Sequence, residues 1–385
     1  MAKIIATAEN FAFGPASKLV TVCEKLLKRG HEITFVGEGT AYQLASKVKF
    51  HKIYRFDTDS KDFMSWGEKV FKSADALLSS IDRSSVILAK KVGLPVIWLD
   101  MLFWWWDEIP EYLFDIGLYI QQNSVKNERN MKKYQRKIKN MAIVGPIFDT
   151  SYKNSSAKKQ LLVAFGGTEA AGWYKIGKDS NYPYTISKLI VEKVDTGKYD
   201  SVLFAGNEKI MADLNRKYGN NKFKFMILSH NIWLRELAAS QDVLINPGLE
   251  GPLEAIAYNK PIFFLPPYNS SAYVELDEFR EKGIATKANS IHFCDYFSHR
   301  SLAGRNLRLI MKEFLAELRR FENSPEILAD CAKRIQSYLQ RPQAEKNRQI
   351  IKQKRFISML GGNGLNETVD IIDKFVTNLK NSPHA

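Results

Sequence analysis

The chain has 385 residues, of which 45% are hydrophobic and 25% charged, and its formal net charge is +14. These proportions are those of a soluble globular protein, and the length suits two domains of ordinary size. The three cysteines lie far apart without metal-ligand spacing, which excludes a disulfide scaffold and predicts reduced thiols in a cytoplasmic protein. The opening residues form no signal peptide, and no apolar run is long enough to span a membrane.

The first 150 residues alternate short apolar runs with helical patterns. An amphipathic helix with its apolar stripe from Leu19 to Leu27 ends at Arg29-Gly30-His31, between the first two strands. The apolar runs predict buried strands at 3–8, 32–36, 74–79, 94–100, 116–121 and 141–144. Glu9 follows the first strand directly, so it lies at the carboxyl edge of the predicted sheet.

An aromatic turn follows the predicted strand that ends at Asp100. Four consecutive aromatic residues, Phe103 to Trp106, cannot all point inward from one strand. Some of them must therefore line a cavity or meet a partner. We interpret this turn as an acceptor site; a hydrophobic plug under a lid and a shallow membrane foot are the alternatives.

The positive charge is concentrated in two segments, Lys126–Lys139 and Lys346–Arg355, and both have helical patterns. A solvated helix face is the ordinary interpretation of such a charge run. Peripheral contact with an anionic membrane is the next interpretation, and nucleic-acid binding is the least favoured.

A polar segment, 149–159, has no periodicity and is typical of a linker. The next strand, 160–165, ends in Gly166-Gly167-Thr168, whose backbone N–H groups could contact a phosphate. Further strands are predicted at 201–205 and 222–227, the latter followed by Leu228 and Ser229. Residues 169–184 are predicted to form an irregular insertion, which suggests a flap.

The stretch Asp242–Pro267 predicts a strand, a glycine loop, a helix and a second strand. This is a βαβ unit, and loops at the carboxyl edge of such sheets bind ligands. Gly248 and Gly251 let backbone N–H groups approach an anion at a helix N-terminus. Glu254 lies inside that helix, where it could accept hydrogen bonds from sugar hydroxyls. An ordinary α/β turn remains the alternative.

The residues Asn246 to Ala255, followed by Lys260-Pro261 and Leu265-Pro266, resemble the donor-binding signature of glycosyltransferases with the two-domain B fold (GT-B, the UDP-glycosyltransferase-like superfamily). In that family a His-Gly-Gly turn, then Glu-Ala and Gly-x-Pro, hold the diphosphate and ribose of a nucleotide sugar. Asn246 stands where the histidine usually is, and Pro247 replaces the first glycine.

The resemblance implies an α/β fold with two Rossmann-like domains that face a cleft and a C-terminal helix that crosses back to the N-terminal domain. It places the acceptor domain at 1–148, the linker at 149–159, the donor domain at 160–360 and the returning helix at 361–385. The loop Asn269-Ser270-Ser271 falls where the family reads the donor sugar.

The resemblance also assigns site residues. The donor-binding residues implied are Gly14, Gly166, Gly167, Thr168, Leu228, Ser229, Asn246, Gly248, Leu249, Glu250, Gly251, Glu254, Asn269, Ser270 and Ser271. The acceptor-binding residues implied are Phe13, Phe103, Trp104, Trp105, Trp106 and Asp107.

Many relatives carry a histidine as general base where this chain has Pro15, which cannot take a proton. Either another residue is the base, or the acceptor is acidic enough to need little help. Glu9 and Asp100, both at strand ends, are the candidates. No Asp-x-Asp metal site is expected, so neither a metal nor another cofactor is expected, and N–H groups would stabilise the leaving diphosphate.

The predicted function is transfer of a sugar from a nucleotide diphosphate sugar, with UDP-sugar favoured, to a small aromatic or nucleobase-like acceptor. Residues 13–18 and the aromatic turn faintly resemble cytosylglucuronate synthase-type enzymes of nucleoside antibiotic biosynthesis. The alternatives are a nucleotide-sugar 2-epimerase of the same fold and a non-catalytic nucleotide-sugar or DNA-binding protein. A homodimer is a further partner to test.

Overall fold

The computed structural model describes residues 1–153, 155–168, 181–248, 250–298 and 307–381. The chain forms two compact units. The first contains Met1–Asp149 and Ser358–Ala385, and the second contains Thr150–Ile357.

The first unit is built on a parallel sheet of seven strands in the order β3-β2-β1-β4-β5-β6-β7. The five strands β1, β2 and β4–β6 are largely buried, which explains their continuous apolar sequences. The strands are β1 Lys3–Ala8, β2 Glu32–Gly37, β3 Lys52–Arg55, β4 Ala76–Ser80, β5 Val96–Asp100, β6 Leu118–Gln122 and β7 Met141–Val144.

Helices connect these strands and cover the sheet. They are α1 Gly14–Lys28, α2 Gly39–Ala45, α3 Phe63–Phe71, α4 Arg83–Lys91 and α5 Glu128–Tyr134. The predicted apolar stripe of α1 is its buried face, with Leu19, Val22, Cys23 and Leu26 fully enclosed. Asp82 caps α4 by accepting the backbone N–H of Ser85.

The second unit is built on a parallel sheet of five strands in the order β10-β9-β8-β11-β12. The strands are β8 Gln160–Gly166, β9 Ser201–Gly206, β10 Phe223–Met226, β11 Asp242–Ile245 and β12 Ile262–Phe264. The helices are α6 Tyr182–Lys193, α7 Glu208–Tyr218, α8 His230–Ala239, α9 Gly251–Ala257, α10 Ser270–Glu281, α11 Leu307–Glu322, α12 Pro325–Leu339 and α13 Gln343–Met359.

The last helix, α14 Leu365–Asn381, belongs to the first unit and packs on α1. Asp373 accepts a hydrogen bond from Arg29 at 3.0 Å and lies 2.9 Å from Nε2 of His31. Asp370 binds the same guanidinium. The prediction that the C-terminal helix returns to the N-terminal domain is confirmed.

Both sheets reverse their strand order once. The reversal lies between β1 and β4 in the first unit and between β8 and β11 in the second. At such a switch point the connections leave in opposite directions, which opens a crevice at the carboxyl ends of the two strands. The predicted α/β class with two Rossmann-like domains is confirmed, and this is the domain composition of the GT-B fold.

None of the helices in the described part of the chain is long and apolar enough to cross a bilayer.

Candidate functional site

The glycine loops of the second unit lie at its switch point, and Asn246 joins them. The backbone N–H of Asn246 donates to the carbonyl of Ala164 at 3.0 Å, and its Nδ2 donates to the carbonyl of Phe165, also at 3.0 Å. The loop after β11 is therefore tied to the end of β8. This brings Gly166-Gly167-Thr168 next to the loop that contains Gly248.

At two positions in these loops, the structure explains why the residue is glycine. Gly166 has φ +67°, in the left-handed region that favours glycine, and a Cβ there would meet nothing within 4 Å. A Cβ on Gly251 would lie 2.5 Å from Cδ1 of Ile245. Thr168 also has positive φ, at +49°, so a non-glycine residue in this loop is held in a strained conformation.

The helix that follows, α9, has only seven residues and no side-chain cap at Glu250. The predicted anion contacts of the loop N–H groups and of the helix terminus stay predictions. Leu249 lies outside the described residues.

Glu254 lies inside the second unit, with 2% of its surface exposed. Its Oε1 lies 2.7 Å from Nε2 of His230, and its Oε2 accepts the indole N–H of Trp233 at 2.5 Å. Both partners are on α8, three residues apart, so they share one helix face. No sequence pattern indicates this pairing, because only the fold brings α8 and α9 together. The ribose contact of Glu254 stays a prediction.

The remaining predicted donor residues lie at helix starts. Ser229 caps α8 by accepting the N–H of Ile232, and Leu228 beside it is buried. Asn269 caps α10 by accepting the N–H of Ala272 at 2.8 Å and the hydroxyl of Ser271 at 2.9 Å. Ser270 is buried as the first residue of that helix. Their contacts with a sugar stay predictions.

Tyr182 corrects the predicted flap. It begins α6 instead of lying in an irregular insertion, and it is 1% exposed. Its hydroxyl lies 2.7 Å from Oδ1 of Asn246 and 2.6 Å from the carbonyl of Pro266. Residues 169–180 lie outside the described part of the chain.

Glu9 occupies the switch point of the first unit, directly after β1. Its backbone N–H donates to the carbonyl of Ser80 at 3.0 Å, which ties it to the end of β4. The next residue, Asn10, accepts the backbone N–H of Thr40 at 2.9 Å and its hydroxyl at 3.0 Å. Ala12 follows with φ +46°, a strained backbone conformation for alanine. Hydrogen bonds therefore hold this loop in a strained conformation.

The electrostatic environment of Glu9 changes its acidity. Burial, reinforced by the carboxylates of Asp82, Asp59 and Asp57, raises the pKa of Glu9 to about 8, although Arg83 opposes the shift. A carboxylate with this pKa at a switch point can accept a proton from a substrate near neutral pH.

The start of α1 lies beside this loop. Gly14 is its first residue, and the half-buried Phe13 precedes it. Pro15 is buried, and its carbonyl accepts the hydroxyl of Ser80 at 2.8 Å. The residue in the position of the family's histidine therefore helps to join α1 to β4.

Asp100 has no exposed surface, so the structure does not support its prediction as a base. It is fully buried and accepts hydrogen bonds from the backbone N–H of Leu102 at 2.7 Å, the indole of Trp106 at 3.0 Å and the hydroxyl of Tyr119. Burial raises the pKa of its carboxyl. Its role is to hold the aromatic turn in place.

The aromatic turn divides into a buried and a half-buried pair. Phe103 is fully buried edge-on against Tyr119, and Trp104 is 6% exposed, so both are core residues instead of acceptor contacts. Trp105 and Trp106 are half-buried. The guanidinium of Arg83, which sequence reasoning missed, lies 4.8 Å from the centre of the Trp106 ring.

Asp107, the last predicted acceptor residue, is exposed. Its carboxylate lies 3.6 Å from the guanidinium of Arg129 on α5. Its backbone carbonyl accepts a hydrogen bond from Lys133. Asp107 thus anchors α5 to the end of the aromatic turn.

Three side chains in the second unit have the composition of a metal site: Asp277, His292 and Cys294, whose ligand atoms lie within 4.8 Å of one another. However, Nδ1 of His292 accepts the backbone N–H of Cys294 at 3.1 Å. The ring proton is therefore on Nε2, which lies 3.4 Å from Oδ1 of Asp277. We interpret His292 as the cap of the short 3-10 helix Phe293–Asp295, with Asp277 as the hydrogen-bond partner of its ring.

No protein-family model and no curated protein matches the chain. Among solved structures, Acinetobacter baumannii MurG is similar over 97% of this chain and 100% of its own, with 10% identity and a TM-score of 0.48. CalG4, the calicheamicin glycosyltransferase, is similar over 98% of this chain and 99% of its own, with 14% identity and a TM-score of 0.48. Anabaena Alr3699/HepE in complex with UDP-glucose is similar over 91% of this chain and 99% of its own, with 12% identity and a TM-score of 0.43. At this degree of similarity, the function is inferred from the chain's own residues.

Proposed function

We propose that this chain transfers a sugar from a nucleotide diphosphate sugar, with a UDP-sugar as the favoured donor, to a small aromatic or nucleobase-like acceptor. The observation that carries the proposal is the pair of glycine loops at the second switch point, which Asn246 ties together. Glycine loops in this position suit a diphosphate, because their backbone N–H groups can approach its oxygens closely.

The donor would bind with its diphosphate against the loop after β8 and the loop after β11. Gly166 supplies a backbone turn that a side chain would strain, and Gly248 has open space around it, with Oε2 of Glu275 at 3.9 Å as the nearest atom to a Cβ. Glu254 would reach a ribose hydroxyl through the second lone pair of an oxygen that His230 or Trp233 already engages.

Glu9 would act as the general base. Its carboxylate would take the proton of the acceptor's hydroxyl or N–H while that oxygen or nitrogen forms a bond to the anomeric carbon. The bond between that carbon and the diphosphate breaks in the same step, and the nucleotide diphosphate leaves with the electron pair. Loop N–H groups would stabilise the charge that develops on it.

The acceptor would stack on the half-buried pair Trp105 and Trp106. Asp100 accepts the indole N–H of Trp106, so this ring would already be oriented before an acceptor arrives. Arg83 beside that ring would favour an acceptor with a planar, electron-rich ring system.

Calorimetric titration of the purified protein with UDP, TDP, GDP and their common sugars tests the donor half. We expect tight binding of one nucleotide, with UDP favoured, and its loss in Glu254→Ala. A folded protein that binds none of them would refute the proposal. Consumption of the bound nucleotide sugar with no acceptor present, and with its epimer as product, would instead indicate the 2-epimerase.

A further inference from the structure

Helix α13 carries a basic face that the proposed function does not use. Arg348, Ile351, Lys352 and Arg355 follow the spacing of one helix face, and all four are exposed. Ile351 has 51% of its surface exposed. The opposite side of the helix is buried, and its members are Lys346, Gln353, Phe356 and Ile357.

The positive charge of this face is not balanced by neighbours along the chain. The segment 346–366 contains five lysines and arginines and no aspartate or glutamate, and Glu345, just before it, lies 4.0 Å from Arg341. Within the described part of the chain, Arg348, Lys352 and Arg355 make no ion pair or side-chain hydrogen bond with another residue. Their charge is therefore available to an external anion.

The other basic segment differs in this respect. On α5, Lys132 forms an ion pair with Glu128 at 2.6 Å, and Arg129 lies 3.6 Å from Asp107. Lys133 donates to the backbone carbonyl of Asp107 at 3.2 Å. The charges of α5 thus serve the first unit's own structure, which makes α5 a matched control for α13.

We propose that the basic face of α13, formed by Arg348, Ile351, Lys352 and Arg355, binds the surface of an anionic lipid bilayer. Cations in one row attract anionic headgroups, and Ile351 at the centre of the row can enter the boundary between headgroups and acyl chains. A nucleic-acid backbone would satisfy the cations equally well, but it offers no apolar surface to Ile351. The exposed isoleucine therefore selects a bilayer as the partner.

Flotation of the full chain with lipid vesicles tests this inference. We expect binding to vesicles of phosphatidylcholine with about one third phosphatidylglycerol, weak binding without it, and loss of binding at high salt. Each basic residue contributes roughly fivefold to such partitioning, so Arg348→Gln, Lys352→Gln and Arg355→Gln together should weaken it about a hundredfold. Ile351→Ser alone should weaken it by a smaller factor.

The control variant Arg129→Gln with Lys132→Gln and Lys133→Gln removes three exposed charges from α5, as many as the α13 variant loses, and should leave vesicle binding unchanged. Equal losses in the α5 and α13 variants would show a diffuse effect of net charge and would overturn the proposal. Binding of the parent chain to double-stranded DNA but not to the vesicles would overturn it as well. Circular dichroism of each variant confirms that exposed substitutions leave the fold intact.

Discussion

The carboxylate of Asp100 accepts the indole N–H of Trp106 at 3.0 Å, so a fully buried acid fixes the ring of a half-buried tryptophan. The same carboxylate also binds the backbone N–H of Leu102 and the hydroxyl of Tyr119. These three donors come from a turn and a neighbouring strand. Asp100 therefore holds the aromatic turn in position from inside the core.

Replacement of Asp100 by alanine should destabilise the protein by about 3 kcal/mol, because it leaves one buried and two half-buried donors without their acceptor. Tryptophan emission should shift to the red as the Trp106 ring loses its anchor. Chemical denaturation and fluorescence measure the two effects. Tyr119→Phe is the control, and it should cost only about 1 kcal/mol because Asp100 keeps its other two donors, Leu102 and Trp106. An Asp100→Ala protein as stable as its parent would contradict this assignment.

The pKa of Glu9, raised to about 8, predicts a pH dependence of the proposed transfer. A general base acts only when it is ionised, and at pH 7 only about a tenth of Glu9 is ionised. The rate should therefore increase about tenfold from pH 7 towards a plateau above pH 8. Glu9→Gln should lower the plateau at least a hundredfold and leave donor binding unchanged. A steady-state profile of kcat, with isothermal titration of the donor as the control, tests this.

The raised pKa of Glu9 also makes the stability of the protein depend on pH. The folded state holds the Glu9 proton more tightly than the unfolded state, so stability decreases as the pH rises from about 4.5 to about 8. Glu9→Gln removes this dependence. The variant should thus be at least as stable as its parent at pH 8, and a lower melting temperature there would mean that ionised Glu9 has a structural role.

Gly166 and Gly30 allow a matched test of the phosphate loop. Both have positive φ, +67° and +86°, and neither has an atom within 4 Å of the place where a Cβ would be added. Alanine at either position should therefore cost about 1–2 kcal/mol of stability for the same backbone reason. Gly166→Ala alone should also weaken nucleotide binding, by at least tenfold in calorimetry. Equal affinity in the two variants would remove Gly166 from the proposed site.

Two adjacent glutamines in β6 form a second matched pair. Gln121 is 1% exposed, and neither amide atom has a hydrogen-bond partner among the described residues. Gln122 is 2% exposed, but its Oε1 accepts the backbone N–H of Ile147 at 3.0 Å. Gln121→Met should be neutral or stabilise by about 1 kcal/mol, whereas Gln122→Met should destabilise by about 1–3 kcal/mol. Denaturant titrations of both variants would show this difference, and equal destabilisation would contradict it.

The sheets could be predicted because buried parallel strands have continuous apolar sequences. The strand Lys3–Ala8 matches its prediction at both ends. By contrast, β3 was not among the predicted strands, since Lys52–Arg55 lies at the sheet edge and has only Ile53 and Tyr54 between its charged ends. The glycine loops were also predictable, because a glycine directly after a buried strand is typical of a tight turn at the carboxyl edge of the sheet.

The site side chains were harder to predict, because burial decides their role and the sequence does not contain it. Asp100 at a strand end resembles a catalytic acid until its three donors are known. Phe103 and Trp104 have the same sequence pattern as Trp105 and Trp106, although the first pair belongs to the core. The partners of Glu254 lie more than twenty residues away on another helix, and no local pattern connects them.

The ion pairs that join Arg29 to Asp370 and Asp373 have a consequence for folding during synthesis. The first unit needs α14, yet residues 150–357 are synthesised between its two parts. At ribosomal speeds of about 5–20 residues per second, the α1 surface waits for tens of seconds without its partner helix. The first unit to emerge from the ribosome is therefore the last to finish folding, and its uncovered α1 surface is open to chaperones while the second unit is being made.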